Sequence, residues 1–416
     1  AYLDVLSGGN LDISMSRSLI ALNEVTVEAS RYHNVKGTQM GFDRLNYKVL
    51  KEVPVVMGEK DILKVIQMLP GVQSVGEGSA GFNVRGSSAD QNLIYVNKVP
   101  VYNINHLFGF FTSFNPDIIR DFSLYKSNLP ASYGGRLSSF FDISTRQGNM
   151  RQYHARGGIS PITGHLAVEG PIRKDHSSFV LSARSTYSDW ILKRLEDPDL
   201  RNSEAAFQDY AGVLTWKPGE KTLVRAFGYY SRDRFKLGTT NSYAYANTGG
   251  SLNVVRRFST RSRGDLALVY GAYDFNTVDE TIPAESYSHA YRINHYELKA
   301  DFSWLSLGAH KLTYGGNAIY YRLNRGIVEP YGDLSLKRPI DLGKEDGIEM
   351  GLYIADEITV NPRLTIYAGL RYSYFMALGP GEVLDYREGL PKKASNVQDT
   401  LLFKAGELVQ RYSGPE

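Results

Sequence analysis

The sequence predicts a mainly β protein in two parts: a small mixed α/β domain, then an antiparallel β-barrel of the kind that spans membranes. Three observations carry this. From about residue 151, apolar and polar residues alternate over strands longer than the usual five or six residues. The links between these strands alternate between short and long, as they do in membrane barrels. Tyrosine changes density at the same point, with 7 of the 29 in residues 1–150 and the other 22 beyond.

Composition narrows the classes. At 416 residues, 42% hydrophobic and 22% charged, the chain must form a large core. A net charge of +3, with no long basic run, gives no field that calls for nucleic acid. The absence of cysteine removes disulfides, thiolate chemistry and cysteine metal sites. No stretch approaches the roughly 18 apolar residues of a membrane helix, and the mean hydropathy of -0.30 agrees. A closed β-barrel is the other structure that satisfies its backbone in lipid, and its signal per strand is weak. Ala1 opens without signal-peptide features, so a removed start is expected.

The first elements are short. Residues 1–21 contain alternating Leu11, Ile13 and Met15, and residues 22–29 are extended and β-prone. Residues 59–69 place Ile62, Val65, Ile66 and Leu69 on one helical face, and Pro70-Gly71 stops the helix. Strands follow at 82–85, 93–96 and 122–126, with a turn at Asn97-Lys98. Residues 76–81 spell G-x-G-x-x-G. That fingerprint needs a strand before it and a helix after it, and here the order is reversed, so the match is accidental.

Beyond residue 151 about ten strands are readable. One sets Tyr296, Leu298, Ala300, Phe302 and Trp304 against His295, Glu297, Lys299, Asp301 and Ser303, an apolar face and a wet one. Short links are expected at 170–176, 217–221, 260–264, 307–310 and 361–362, and long ones at 188–206, 233–251, 276–290, 324–346 and 376–406. A soluble sandwich also alternates, but it does not combine long strands with regularly alternating links.

Candidate ligand-contact residues are Tyr102, Asn103, Asn105, His106 and Phe108, a polar-aromatic cluster, with Tyr243, Tyr245 and Asn247 in the long link 233–251. Flat apolar faces with hydrogen-bonding edges suit sugars or large chelates, although ordinary loop surface has the same composition. His289 and His295 share a strand face without a third ligand nearby, so no metal or cofactor is expected. No nucleophile elbow, metal-ligand spacing or isolated carboxylate pair stands out, which argues against an enzyme.

A series of motifs gives a family resemblance. Asp61-Ile62-Leu63 leads to Leu69-Pro70-Gly71-Val72, then Phe82-Asn83-Val84-Arg85-Gly86, then Leu93-Ile94-Tyr95-Val96 with Pro100-Val101-Tyr102-Asn103. Ala131-Ser132-Tyr133-Gly134-Gly135-Arg136 and Phe141-Asp142-Ile143 complete it, with Glu169-Gly170-Pro171 and Gly369-Leu370-Arg371-Tyr372 in the later strands. In order and spacing the chain resembles the TonB-dependent receptors, particularly the branch with a carboxypeptidase-regulatory-like domain ahead of the plug. The resemblance implies a plug at 40–150 inside a barrel of 22 strands, whose first part is 151–416. Eight to ten strands enclose only side chains or one small ligand, so a truncated barrel is expected.

The resemblance further makes residues 1–21 the end of that preceding β-sandwich domain and 22–39 a linker with the TonB box at Glu24, Val25, Thr26 and Val27. Arg85 and Gly86 would sit on the plug's central strand facing the barrel wall, with the arginine buried and paired. Gly134 and Gly135 would allow close backbone approach, and Arg136 would meet a wall carboxylate. The implied function is active import across a Gram-negative outer membrane of a scarce solute such as a siderophore, vitamin or glycan. TonB and outer-membrane lipid would be partners, and a surface lipoprotein is a further one the branch allows. The alternatives are a ligand sensor of the same fold, a soluble β-rich binding protein and, as a rival class, a barrel enzyme. One departure concerns the turn after 93–96, where the family's Asp-Gly is Asn97-Lys98.

Overall fold

A computed structural model describes residues 41–46, 61–75, 81–109, 111–194, 196–238, 240–306, 309–361 and 363–416. Residues 1–40, including Glu24–Thr26 and Val27, and most of the glycine-rich stretch 76–81 lie outside the described residues.

The inner domain begins with β1 (Phe42–Asn46) and helix α1 (Ile62–Gln67). Asp61 caps α1 by accepting the Leu63 N–H at 2.7 Å, and Ile62, Leu63, Val65 and Ile66 are buried. After it come β2 (Val72–Ser74), β3 (Phe82–Val84), β4 (Asn92–Val96), β5 (Val99–Pro100), β6 (Asn105–His106), β7 (Phe111–Thr112), β8 (Ile119–Tyr125) and β9 (Ser139–Thr145). Five strands form one sheet in the order β1-β8-β9-β4-β5, with β4 parallel to β9 and β8 antiparallel to it. Phe82 and Phe122 meet Phe141 edge-on, at 6.3 and 6.0 Å, and fix the middle of this core.

The wall is a single antiparallel sheet. Its strands are β10 (His154–Ile159), β11 (Thr163–Arg173), β12 (Ser177–Thr186), β13 (Glu204–Gly219), β14 (Thr222–Leu237), β15 (Asn241–Arg257), β16 (Ser262–Asp279), β17 (Tyr287–Leu305) and β18 (His310–Asn324). It continues through β21 (Lys344–Asn361), β22 (Leu364–Leu378) and β25 (Leu408–Pro415). Two hairpins rise from its links, β19 (Ile327–Pro330) with β20 (Ile340–Asp341), and β23 (Gly381–Tyr386) with β24 (Val397–Phe403). Short helices α2 (Asp189–Leu192) and α3 (Pro198–Arg201) occupy the link after β12. Twelve strands follow one another in the wall, two more than the alternation predicts. β10 and β25 are its edges and do not pair with each other among the described residues, so the barrel is partial.

Two of the expected long links are shorter: residues 280–286 join β16 to β17 in place of 276–290, and the link after β14 is shorter still. β14 runs to Leu237 and β15 starts at Asn241, with the register continuous to the pair Leu237↔Asn241. The expected long link 233–251 is therefore a tight turn, and Tyr243, Tyr245 and Asn247 belong to a strand. The polar and small residues there mimic loop composition because the inner face of this wall is itself polar.

Burial on the wall is inverted relative to a soluble sheet. On β17, Leu298 and Trp304 are 48% and 45% exposed, whereas Glu297 and Lys299 are 5% and 6% exposed. The face expected to be wet is covered by the inner domain, and the apolar face points outward. Outer-face aromatics form two belts. Tyr210, Tyr230, Tyr270, Tyr296 and Tyr320 lie toward the long links, and Trp216, Phe258 and Trp304 toward the short turns. The eight residue steps from Tyr296 to Trp304 span about 27 Å along the strand, or roughly 20 Å across a bilayer at the usual tilt, close to the apolar band of membrane barrels. No helix among the described residues is long and apolar enough to cross a membrane.

Candidate functional site

The inner domain touches the wall at three levels. Nearest the short turns, Asn97 and Lys98 both adopt left-handed backbone, with φ of 47° and 72°. Positive φ at both central residues is the type I′ requirement of a two-residue hairpin turn. Lysine accepts this conformation at a cost of about 1–2 kcal/mol. Its Nζ lies 2.8 Å from Asp265 and 3.7 Å from Asp301 of the wall, a pair that glycine could not make. Beside it, Val99 and Pro100 fit against Gly249 and Gly271, which face each other across β15 and β16. A Cβ would lie 2.3 Å from Val99 at the first and 2.9 Å from Pro100 at the second, so this notch exists only because both positions are glycine.

At the middle level, wall cations reach carbonyl groups of the inner domain. Lys299 donates to the Ser132 oxygen at 3.0 Å and lies 4.4 Å over the Tyr133 ring. Arg371 donates to Ala131 O at 3.5 Å and Asn317 Oδ1 at 2.8 Å. Tyr95 donates to Glu297, which also meets His295 at 3.2 Å. The backbone of Gly134 lies against Arg371 and that of Gly135 against Glu349. Burial first, and then neighbouring Asp121, push the Asp142 carboxyl up to about 6.

One arginine expectation is corrected here. Arg85 is exposed, in left-handed backbone after β3 rather than on a central strand, and its N–H donates to Gly71 O at 2.8 Å. Val84, one residue earlier, is the buried member of the motif, and Gly86 continues the turn with φ +81°. Arg136 is also exposed, and its one side-chain hydrogen bond among the described residues is to Gly135 O. Leu69 packs on the core edge, and Gly71 turns the chain out of α1 with φ +81°, while Pro70 O accepts from Lys126 at 2.8 Å.

The third level is the apex of the inner domain. Tyr102 contacts His295 at 3.4 Å, and Asn103 exchanges hydrogen bonds with Asn247. Asn105 and His106 are buried, which corrects their reading as ligand contacts, and Tyr245 is buried as well. Tyr243 is half-buried against Phe275, and the side chain of Phe108 lies outside the described residues. His106 is fully enclosed, its Nε2 2.6 Å from Asp209 of β13 and its Nδ1 2.6 Å from Asp233 of β14. Burial opposes its charge, but the two carboxylates outweigh burial and lift it to about 8. Charged side chains at inward-parity positions in mid-strand, such as Arg184, Asp209 and Asp233, were the sequence signal for this cluster.

Between apex and long links lies a cavity of about 670 Å³. Tyr102 and Arg136 of the inner domain face Tyr321, Asp346, Glu349 and Phe375 of the wall across it. It combines aromatic rings with both signs of charge, as a recognition site for a polar solute requires. Among the described residues no cluster of His, Asp or Glu could hold a metal ion.

Residues 15–138 match the family described as TonB-dependent Receptor Plug Domain. These residues are a TonB-dependent receptor plug domain. The wall around the plug agrees. The chain is similar to the siderophore receptor PirA from Acinetobacter baumannii at 16% identity and a TM-score of 0.62, covering 84% of this chain and 60% of that one. It is also similar to the ferric citrate transporter FecA (13%, TM-score 0.65, 83% and 57%) and the copper transporter OprC (13%, TM-score 0.65, 90% and 59%). At these identities the likeness shows the receptor fold, a plug within a β-barrel wall. The chain spans about 60% of the length of these structures. No curated protein matches the sequence.

Proposed function

We propose that the chain is the plug and first part of the barrel of a transporter that imports a scarce solute across the outer membrane of a Gram-negative bacterium, driven through TonB. The plug match carries this reading. It is supported by the apolar outer belt, which suits lipid, and by a plug held to its wall through many small polar contacts that can exchange. In this reading the long links face outward and the plug is reachable from the periplasm. The solute, of siderophore, vitamin or glycan type, meets Tyr102 and Arg136 in the apical cavity. TonB then grips Glu24, Val25, Thr26 and Val27 by strand addition, where main-chain hydrogen bonds supply the affinity. In this reading the work is binding and gating. Deleting residues 23–28 from the full-length receptor should abolish energised uptake while leaving solute binding intact; unchanged uptake would remove the assignment.

A further inference from the structure

Three neighbouring wall strands, β12, β13 and β14, each send one charge inward to the same point: Arg184, Asp209 and Asp233, all nearly inaccessible to solvent. The plug contributes His106, stacked on Phe207 at 4.1 Å and 8°. Asp209 accepts from Arg184 Nε at 2.7 Å and from its Nη2, and Asp233 accepts the Leu107 N–H at 3.1 Å. With both carboxylates ionised, one guanidinium balances only one of them. A neutral imidazole has a single N–H and would turn a lone pair toward the second carboxylate at 2.6 Å. An imidazolium donates to both and makes the buried group neutral overall, the condition under which buried charge is tolerated.

We propose that His106 is a charged positioning residue: as an imidazolium it fastens the plug apex around residues 105–112 to the wall and so sets the segment that presents Tyr102 to the cavity. Backbone ties flank it. Leu107, in left-handed backbone with φ 48°, is held through Asp233, and Thr112 O accepts from Arg184. Tyr229 donates to Ser113 O at 2.6 Å. The titratable and charged groups around the cluster are Arg184, Asp209, Asp233, Tyr229 and Tyr273 from the wall and Asp61 from the plug helix. The proposal concerns the docked plug and holds whatever the receptor carries.

The test is hydrogen exchange of amides 103–113 in the full-length receptor in detergent, corrected for intrinsic rates. His106→Gln should speed this segment at least about tenfold while leaving β8 and β9 unchanged, because it strands one buried negative charge. Adding Asp233→Asn to His106→Gln restores neutrality and should recover most of the protection. In the unmodified receptor, protection of the segment should fall by up to about tenfold per pH unit between about pH 6.5 and about pH 8 and level off above that, because opening releases the imidazolium proton only in this window. A single variant that exchanges like wild type, or a double variant no better than the single, would overturn the charged role. If His106→Gln does not assemble, the pH series decides: protection that stays flat to about pH 9 overturns the proposal.

Discussion

Asp61 shows how one side chain can serve two opposed demands. Its carboxylate caps α1, yet it is buried, and burial raises it from 3.8 to about 6 against the Leu63 N–H and the charge of Lys64. A carboxyl whose folded value is raised contributes stability that is complete below the unfolded value and lost as pH rises through the folded one. Asp61→Asn keeps the acceptor without the charge. Its plug should match wild type below about pH 4 and be the more stable above about pH 6, whereas Asp61→Ala should be about 1 kcal/mol less stable than Asp61→Asn at any pH for want of the cap. Denaturant unfolding of the plug across this range measures both, and an asparagine variant weaker at high pH would contradict the account. At this scale the sequence was partly legible. The helix face and the glycines of the motif segments could be read from spacing. The fate of His106 could not, because its enclosure depends on wall strands about a hundred residues away.

Among elements, the alternation of the wall strands was legible and the link 233–251 was not. Tyr243, Tyr245 and Asn247 face inward on β15, where a strand that meets a protein domain is written in polar and aromatic residues. Composition alone does not separate such a strand from a loop. The contact of β5 with β15 and β16 gives an element-scale prediction. Gly271→Val should clash with Pro100 and expose the plug to proteolysis, while Gly228→Ala, which has open space around it, should be tolerated. Equal protease resistance in the two variants would mean that the notch does not seat the plug.

For the molecule as a whole, the placement of three tryptophans tests the membrane reading. Trp216 and Trp304 lie in the belt near the short turns, and Trp190 lies in the link after β12, against Arg194. Brominated lipid labelled near the headgroups should quench the first two, since belt aromatics sit at that depth. Trp190→Phe should leave the quenched fraction of intensity larger, and Trp304→Phe should leave it smaller; the reverse pattern would place the bilayer elsewhere. The two glycines of the notch also constrain how the wall is threaded. Strand side chains have a period of two, so a slip of one residue between β15 and β16 would separate Gly249 from Gly271 and turn a whole row to the other face. A slip of β17 would send Glu297 and Lys299 into lipid, at a cost of about 2–4 kcal/mol for the lysine alone at mid-bilayer. The plug thus serves as a gauge for its own enclosure: only a correctly registered wall has both a lipid-compatible exterior and a socket of the right shape.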